Sequence, residues 1–298
     1  MRTPLRRSEW LSRICGTDVL LKLESLQPTF SYKIRGATNA IIRLAEQHGT
    51  SAPPLVTASA GNHGRAMAEA AKRAGMPLTV YVPEHAPRTK LDAIRATGAD
   101  LRPSADYDDA ERRAKEDARS RPAIYISPYS HPDVIAGAGT VALEILDEQP
   151  NATIVVPIGG GGLISGIAIV AAARRDPANV YGVEVEASSP FTHGRAAGRI
   201  VTIDVGPTLA DGLAGNLDPD TVTFDIVQNL VPRIAVITED ELKAAMAGLL
   251  LKEKLIVEGA GAVGVAALLS RKLVTNGGPV AVVVSGANID PSVLRSLI

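Results

Sequence analysis

The sequence holds one cysteine, Cys15, in 298 residues. That excludes an intrachain disulfide and any Cys₄ zinc site, and leaves a buried, inert thiol as the expected role. Charge of one sign is lacking too: the formal net charge is −1 and the basic residues are scattered, so no polyanion-binding patch and no nucleic-acid partner are predicted. No apolar run approaches the ~20 residues of a membrane-spanning helix. The start, Met1-Arg2-Thr3-Pro4-Leu5-Arg6-Arg7, lacks an apolar signal core, and a cytoplasmic location is expected. The five histidines show no metal-ligand spacing. Internal repeats and low-complexity tracts are absent.

What remains is apolar and alternating. At 46% hydrophobic there is material for a sizeable core. Short β-branched runs (Val19–Leu23, Leu55–Thr57, Leu78–Val82, Ala123–Ile126, Thr153–Val156, Val180–Val185, Val280–Val284) read as strands. Between them lie alanine-rich helical stretches, among them Ser31–Gln47 with a serine cap, segments starting near Asn62, Arg88 and Tyr107, Ile135–Leu146 and Leu163–Ala173. Thr238 and Glu241 form a capping box opening a helix over Glu239–Lys254. Such alternation predicts an α/β fold with parallel sheets. The Gly194–Pro219 stretch, rich in Gly, Asp and Pro, reads as an ordered loop, and no clean boundary separates consecutive domains.

Four segments carry chemistry. Thr153–Ile158 runs into Gly159-Gly160-Gly161-Gly162 and then a helix. Without side chains, the backbone N–H groups of this run can converge on an anion, and the helix start adds donors and a positive dipole end. No Gly-Lys-Ser/Thr follows, so it is not a P-loop, and the spacing is not that of a dinucleotide fingerprint. One or two glycines would satisfy a tight turn; four favour a phosphate cradle. Lys33 lies in the first turn of a predicted helix, whose positive end disfavours an ammonium and favours the neutral amine that Schiff-base chemistry needs. Taken alone, a lysine there is most often a solvated side chain. Thr57-Ala-Ser59-Ala60-Gly61-Asn62-His63-Gly64 is a second strand-to-helix turn, able to cap a helix or to grip a carboxylate. Ser285 ends the last buried strand, where open α/β sheets bind ligands.

The segments Ser31–Ala37 (Ser-Tyr-Lys-Ile-Arg-Gly-Ala), Ser59–Gly64, Gly159–Gly162, Ala210–Ala214 (Ala-Asp-Gly-Leu-Ala) and Val284–Asn288 occur in this order. Together they resemble the fold type II pyridoxal-phosphate (PLP) enzymes, tryptophan synthase β-like, and within them the threonine/serine dehydratase (ammonia-lyase) and serine racemase branch. Val134–Thr140 and Glu258–Gly264 resemble further family segments. The resemblance implies two domains, each a mainly parallel sheet flanked by helices: a large PLP-binding domain from residues 1–50 and 134–298, and a small one, 51–133, inserted in it. It further implies PLP as cofactor, Lys33 as its Schiff-base lysine and proton shuttle, Asn62 at the 3′-oxygen, Gly159, Gly160, Gly161 and Gly162 around the phosphate, and Ser285 at the ring nitrogen. Ser59, Ala60, Gly61 and His63 then receive the carboxylate of an amino-acid substrate, and a homodimer or higher homo-oligomer is expected.

The implied reaction is a lyase's: β-elimination of water from a β-hydroxy amino acid of the threonine/serine type, giving a 2-keto acid and ammonia. A neutral hydroxyl at Ser285 stabilises a carbanion less than a carboxylate would, which favours elimination over transamination. The related racemases carry a second serine where this chain has Ala60, and racemisation needs an acid on both faces of the substrate. Serine racemase, 3-hydroxyaspartate dehydratase and β-replacement synthase are the alternatives. Of a cation site in the racemase branch, Glu184 matches one ligand, but Ser188 and Pro190 stand where others are expected. No metal is predicted.

Overall fold

The structure, a computed structural model, describes residues 1–273 and 277–297, with Thr50 by its backbone alone. It divides into two compact units, one made of Met1–Ser31 with Gly139–Ile298 and the other of Tyr32–Ala138. The larger unit begins with β1 (Leu5–Arg7), α1 (Glu9–Cys15) and β2 (Val19–Leu23). The smaller contains α2 (Lys33–His48), β3 (Leu55–Ala58), α3 (Asn62–Ala74), β4 (Leu78–Pro83), α4 (Arg88–Arg95), β5 (Asp100–Ser104), α5 (Tyr107–Ser120) and β6 (Ile124–Tyr125). Helix α6 (Pro132–Glu148) carries the chain back to the larger unit. There follow β7 (Thr153–Pro157), α7 (Gly162–Ala172), β8 (Val180–Val185), α8 (Pro190–Ala197), α9 (Thr223–Leu230) and β9 (Arg233–Ile237). The unit closes with α10 (Glu239–Glu253), α11 (Gly259–Leu269), β10 (Val280–Val284) and α12 (Pro291–Arg295).

Each unit is built on its own sheet. The larger has the order β1-β2-β10-β7-β8-β9, parallel throughout except where β1 runs against β2. The smaller has the order β5-β4-β3-β6, wholly parallel. The central strand β10 pairs with β2 from Val280↔Val19 and with β7 from Val280↔Thr153. All five of its residues are buried, as a strand covered on both faces requires. Helix α11 packs on this sheet and is buried almost all round, Ala262, Val263, Val265 and Ala266 lying in the same apolar cluster as Val155, Val183 and Val282.

The α/β class with parallel sheets agrees with the sequence reading. Helix α10 does open on the Thr238–Glu241 capping box. Two local expectations change. The N-cap of α2 is Tyr32 rather than Ser31, with no side-chain cap bond from Tyr32, and Ser31 forms an isolated antiparallel bridge to Gly286. Cys15 is half-buried rather than fully enclosed, and burial pushes its thiol pKa up. The units also divide the chain differently from the 1–50/51–133/134–298 scheme. Helix α2 goes with the smaller unit because its apolar face (Ile34, Ala37, Ala40, Ile41, Leu44) joins the cluster of Leu55, Met67, Val80 and Ile126.

Candidate active site

In a parallel sheet, ligands gather beyond the carboxyl ends of the strands. In the larger unit those ends bring together two of the predicted elements, since the glycine run follows β7 and Ser285 follows its neighbour β10. Gly161 is the N-cap of α7 at φ +85°, a left-handed conformation that favours glycine. A Cβ there would lie 2.6 Å from Phe191 Cζ and 2.9 Å from Thr223 Cβ. Thr223 Oγ1 donates to the Gly160 carbonyl at 2.8 Å and so fixes that peptide. On the other side, a Cβ at Gly159 would lie 3.1 Å from Leu213 Cα. The run is therefore a backbone surface held in shape by its neighbours, with α7's first-turn amides behind it. Ser285 is buried at the end of β10.

In the smaller unit the strand ends assemble Lys33, Ser59, Ala60, Gly61, Asn62 and His63. Lys33 is the first residue of α2, and its Nζ donates to the Pro128 carbonyl, 2.7 Å away and just beyond the carboxyl end of β6. The same nitrogen lies 5.3 Å from the centre of the Tyr32 ring. Past β3, Ser59 Oγ accepts the Gly61 N–H at 3.2 Å, Gly61 is the N-cap of α3, and Asn62 and His63 fill its first turn. A Cβ at Gly64 would collide with the Ser59 carbonyl oxygen, so this glycine lets the loop fold back on the helix start. The Ala60 methyl is buried in the unit's apolar cluster.

His63 is almost wholly buried, and burial, reinforced by the charge of Lys33, holds its pKa well below the ordinary imidazole range. Its tautomer follows from its partner. Thr57 Oγ1 donates its proton to the Ile126 carbonyl at 2.7 Å, so toward His63 Nε2, at 3.0 Å, it accepts. The ring is thus a neutral Nε2–H imidazole whose buried Nδ1 has no hydrogen-bond partner among the described residues.

Thr57 and Thr223, which hold His63 and Gly160, were not among the predicted site residues. Thr57 adjoins the Ser59 loop and could have been found from that; Thr223 has no local signal. Glu184, near the end of β8, is fully buried. It accepts Phe191 N–H at 2.8 Å, Thr192 N–H at 2.9 Å and Thr192 Oγ1–H at 2.6 Å. Among the described residues no group of three or more His, Cys, Asp or Glu side chains could hold a metal. Nor is any described helix long and apolar enough to cross a membrane.

Each unit carries features that fit PLP: the larger a side-chain-free anion cradle at a helix start and a hydroxyl at the end of a buried strand, the smaller a lysine amine at a helix start. Comparison with known proteins agrees. The family model described as pyridoxal-phosphate dependent enzyme matches residues 1–286. L-threonine ammonia-lyase of Thermotoga maritima is 39% identical over 299 residues, a span covering 100% of this chain and 74% of that protein. Serine racemase of Bos taurus is 37% identical over 295 residues, covering 97% of this chain and 88% of that one. The structure of maize serine racemase superposes with a TM-score of 0.92 at 33% identity, over 99% of this chain and 91% of the other. The chain belongs to the fold type II pyridoxal-phosphate-dependent enzymes, alongside L-threonine ammonia-lyases and serine racemases, and its cofactor is pyridoxal phosphate.

Proposed function

We propose that this enzyme eliminates water from a β-hydroxy amino acid of the threonine/serine type, releasing a 2-keto acid and ammonia. When bound, PLP supplies the electron sink that spreads the negative charge left at Cα after proton removal. Lys33 carries the cofactor and, once displaced by the substrate amine, takes the Cα proton on Nζ. Gly159, Gly160, Gly161 and Gly162 hold the phosphate, Asn62 the 3′-oxygen, and Ser285 the ring nitrogen.

Ser59, Ala60, Gly61 and His63 receive the substrate carboxylate. Because burial holds His63 neutral, that carboxylate is gripped by the amides at the start of α3 and by the Ser59 hydroxyl rather than by an imidazolium. The carboxylate site therefore places no imidazolium beside the amine that must act as base.

The observation that carries elimination over racemisation is Ala60. Inverting Cα requires a proton delivered to the face opposite Lys33, and a methyl group packed among apolar side chains has none to give. A positioned general acid is worth ~10²–10⁴-fold in a proton-transfer step, so its absence at residue 60 suppresses inversion by a factor in that range. The test is a chiral product assay. With L-serine and L-threonine, purified enzyme is expected to release keto acid and ammonia with little D-serine or Cα-inverted threonine. Borohydride reduction and peptide mapping are expected to find the cofactor on Lys33, and Lys33→Ala to lose both turnover and that adduct. Substantial D-serine would overturn the choice of elimination; an adduct on another lysine would overturn the role of Lys33.

A further inference from the structure

Beyond β10 the chain turns through Ser285, Gly286, Ala287 and Asn288, and within the larger unit this turn is held from two sides. On one side runs the segment leading toward Lys33. Phe30 O accepts Ala287 N–H at 2.9 Å, Thr29 O accepts Asn288 Nδ2–H at 3.0 Å, and Ser31 bridges to Gly286. On the other side stands Glu258, almost fully buried. Its backbone N–H donates to Gly286 O at 3.2 Å, and its Oε2 accepts Asn288 N–H at 3.1 Å. Its Oε1 lies so close over Gly286 that a Cβ at that position would collide with it.

The placement of Glu258 is unusual for its position. It is the N-cap of α11, yet its side chain makes no cap hydrogen bond; the carboxylate is turned onto the Ser285 turn. The residues that follow let backbones approach. A Cβ at Gly261 would lie 2.8 Å from Gly286 O, and one at Gly259 would collide with the Leu209 carbonyl. From there, Gly212 faces Ala260 and Gly159 faces Leu213. A chain of backbone contacts thus runs from the glycine loop, through residues 209–213 and 259–261, to the turn that bears Ser285. The Ala210–Ala214 and Glu258–Gly264 segments, singled out by resemblance alone, are the spacer between those two ends.

We propose that Glu258 is a positioning residue for the cofactor: it fixes the Gly286–Asn288 turn and so sets where the Ser285 hydroxyl stands for the ring nitrogen. This rests on the reading of Ser285 as that nitrogen's partner. Two carboxylate oxygens, one on the Asn288 amide and one against Gly286, hold the turn in both directions. The active feature is the position of an acceptor, so glutamine, with the same length and one acceptor oxygen, can serve. Aspartate, one methylene shorter, withdraws from Asn288.

The experiment compares Glu258→Ala, Glu258→Gln and Glu258→Asp with the wild type in three measurements. These are amide hydrogen exchange at residues 285–288 in cofactor-free protein, PLP affinity by titration, and the absorption spectrum of bound cofactor with its occupancy of Lys33 trapped by borohydride. Glu258→Ala is expected to exchange faster at Gly286–Asn288, to bind PLP about tenfold more weakly, as loss of a hydrogen bond to a charged group implies, and to shift the cofactor spectrum. Glu258→Gln is expected to restore all three and Glu258→Asp is not. If Glu258→Ala does not fold, the contrast between Gln and Asp carries the same test. Wild-type affinity and spectrum in Glu258→Ala, or rescue by Asp as complete as by Gln, would overturn the proposal. Wild-type protein without PLP on Lys33 would instead overturn the cofactor reading, and this inference with it.

Discussion

Helices α7 and α8 start beyond the carboxyl ends of neighbouring parallel strands, β7 and β8, yet their first-turn amides are treated in opposite ways. A helix start carries roughly half a positive charge and several N–H groups without partners in the helix. At α8 the protein supplies its own anion: Glu184, on β8, accepts from Phe191 N–H, Thr192 N–H and the Thr192 hydroxyl. At α7 the N-cap is Gly161, which has no side chain to offer, and the residues before it are glycine as well. In the smaller unit α3 follows α7, with Gly61 as N-cap. The helix starts that take an internal carboxylate and those that present bare backbone are different devices on similar architecture. The bare ones are where this enzyme places phosphate and substrate carboxylate in the proposed mechanism.

The largest effect that sharpens this contrast is expected at Gly161. A valine there must adopt φ near +85°, which costs about 1–2 kcal/mol. Its Cβ would press on Phe191 Cζ and Thr223 Cβ at 2.6 and 2.9 Å, and overpacking of that kind costs about 1–3 kcal/mol more. Chemical denaturation should register the sum, and PLP titration a loss of affinity beyond it, because relieving that pressure and the strained φ shifts the amides that line the cradle. A folded Gly161→Val protein with unchanged PLP affinity would reduce the run to a tight turn. Next in size is Glu184→Ala. It strips the acceptor from two amides and a hydroxyl and is expected to cost about 1.5–3 kcal/mol, the range for hydrogen bonds to a charged group, while PLP affinity stays at the wild-type value. Equal damage to cofactor binding from both variants would erase the distinction between the two helix starts.

How much of this was legible in the sequence depended on how local each cause is. The strands Thr153–Pro157 and Val280–Val284 and the glycine run announce themselves through adjacent residues, as does the Thr238–Glu241 capping box three residues apart. What escaped depends on distant partners. Strand β1, Leu5–Arg7, contains two arginines and forms because β2 offers an antiparallel edge. Beside it Lys22, fully buried, is made tolerable by Thr3 O at 2.7 Å and Glu144 Oε2 at 2.6 Å. Strand β5 includes Pro103, acceptable only because it is an edge. Helix α11 is rich in glycine, a poor helix former, and exists because it is buried on every side. In the site the same rule holds. The glycine cradle is local, but Thr223, which fixes its Gly160 peptide, and Glu258, set against Gly286, come from elsewhere in the chain.

The smallest effect expected is the pH dependence of the α8 cap, and its sign decides what kind of cap Glu184 is. Burial raises the carboxyl's pKa in the folded protein; the bonds from Thr192 and Phe191 and the nearby His193 pull the other way and do not outweigh it. A group whose folded pKa is raised binds its proton more tightly folded than unfolded. Its contribution to stability is therefore complete in acid and is lost as pH rises through the folded pKa. Glu184→Gln removes the titration while keeping one acceptor. The stability gap between wild type and this variant, followed by urea denaturation from acid to neutral pH, is therefore expected to narrow as pH rises. A gap that widens instead would mean that three donors and a helix dipole hold the anion better than water does. In that case the start of α8 would be as strong an anion site as the start of α7 is proposed to be, differing from it only in already being filled.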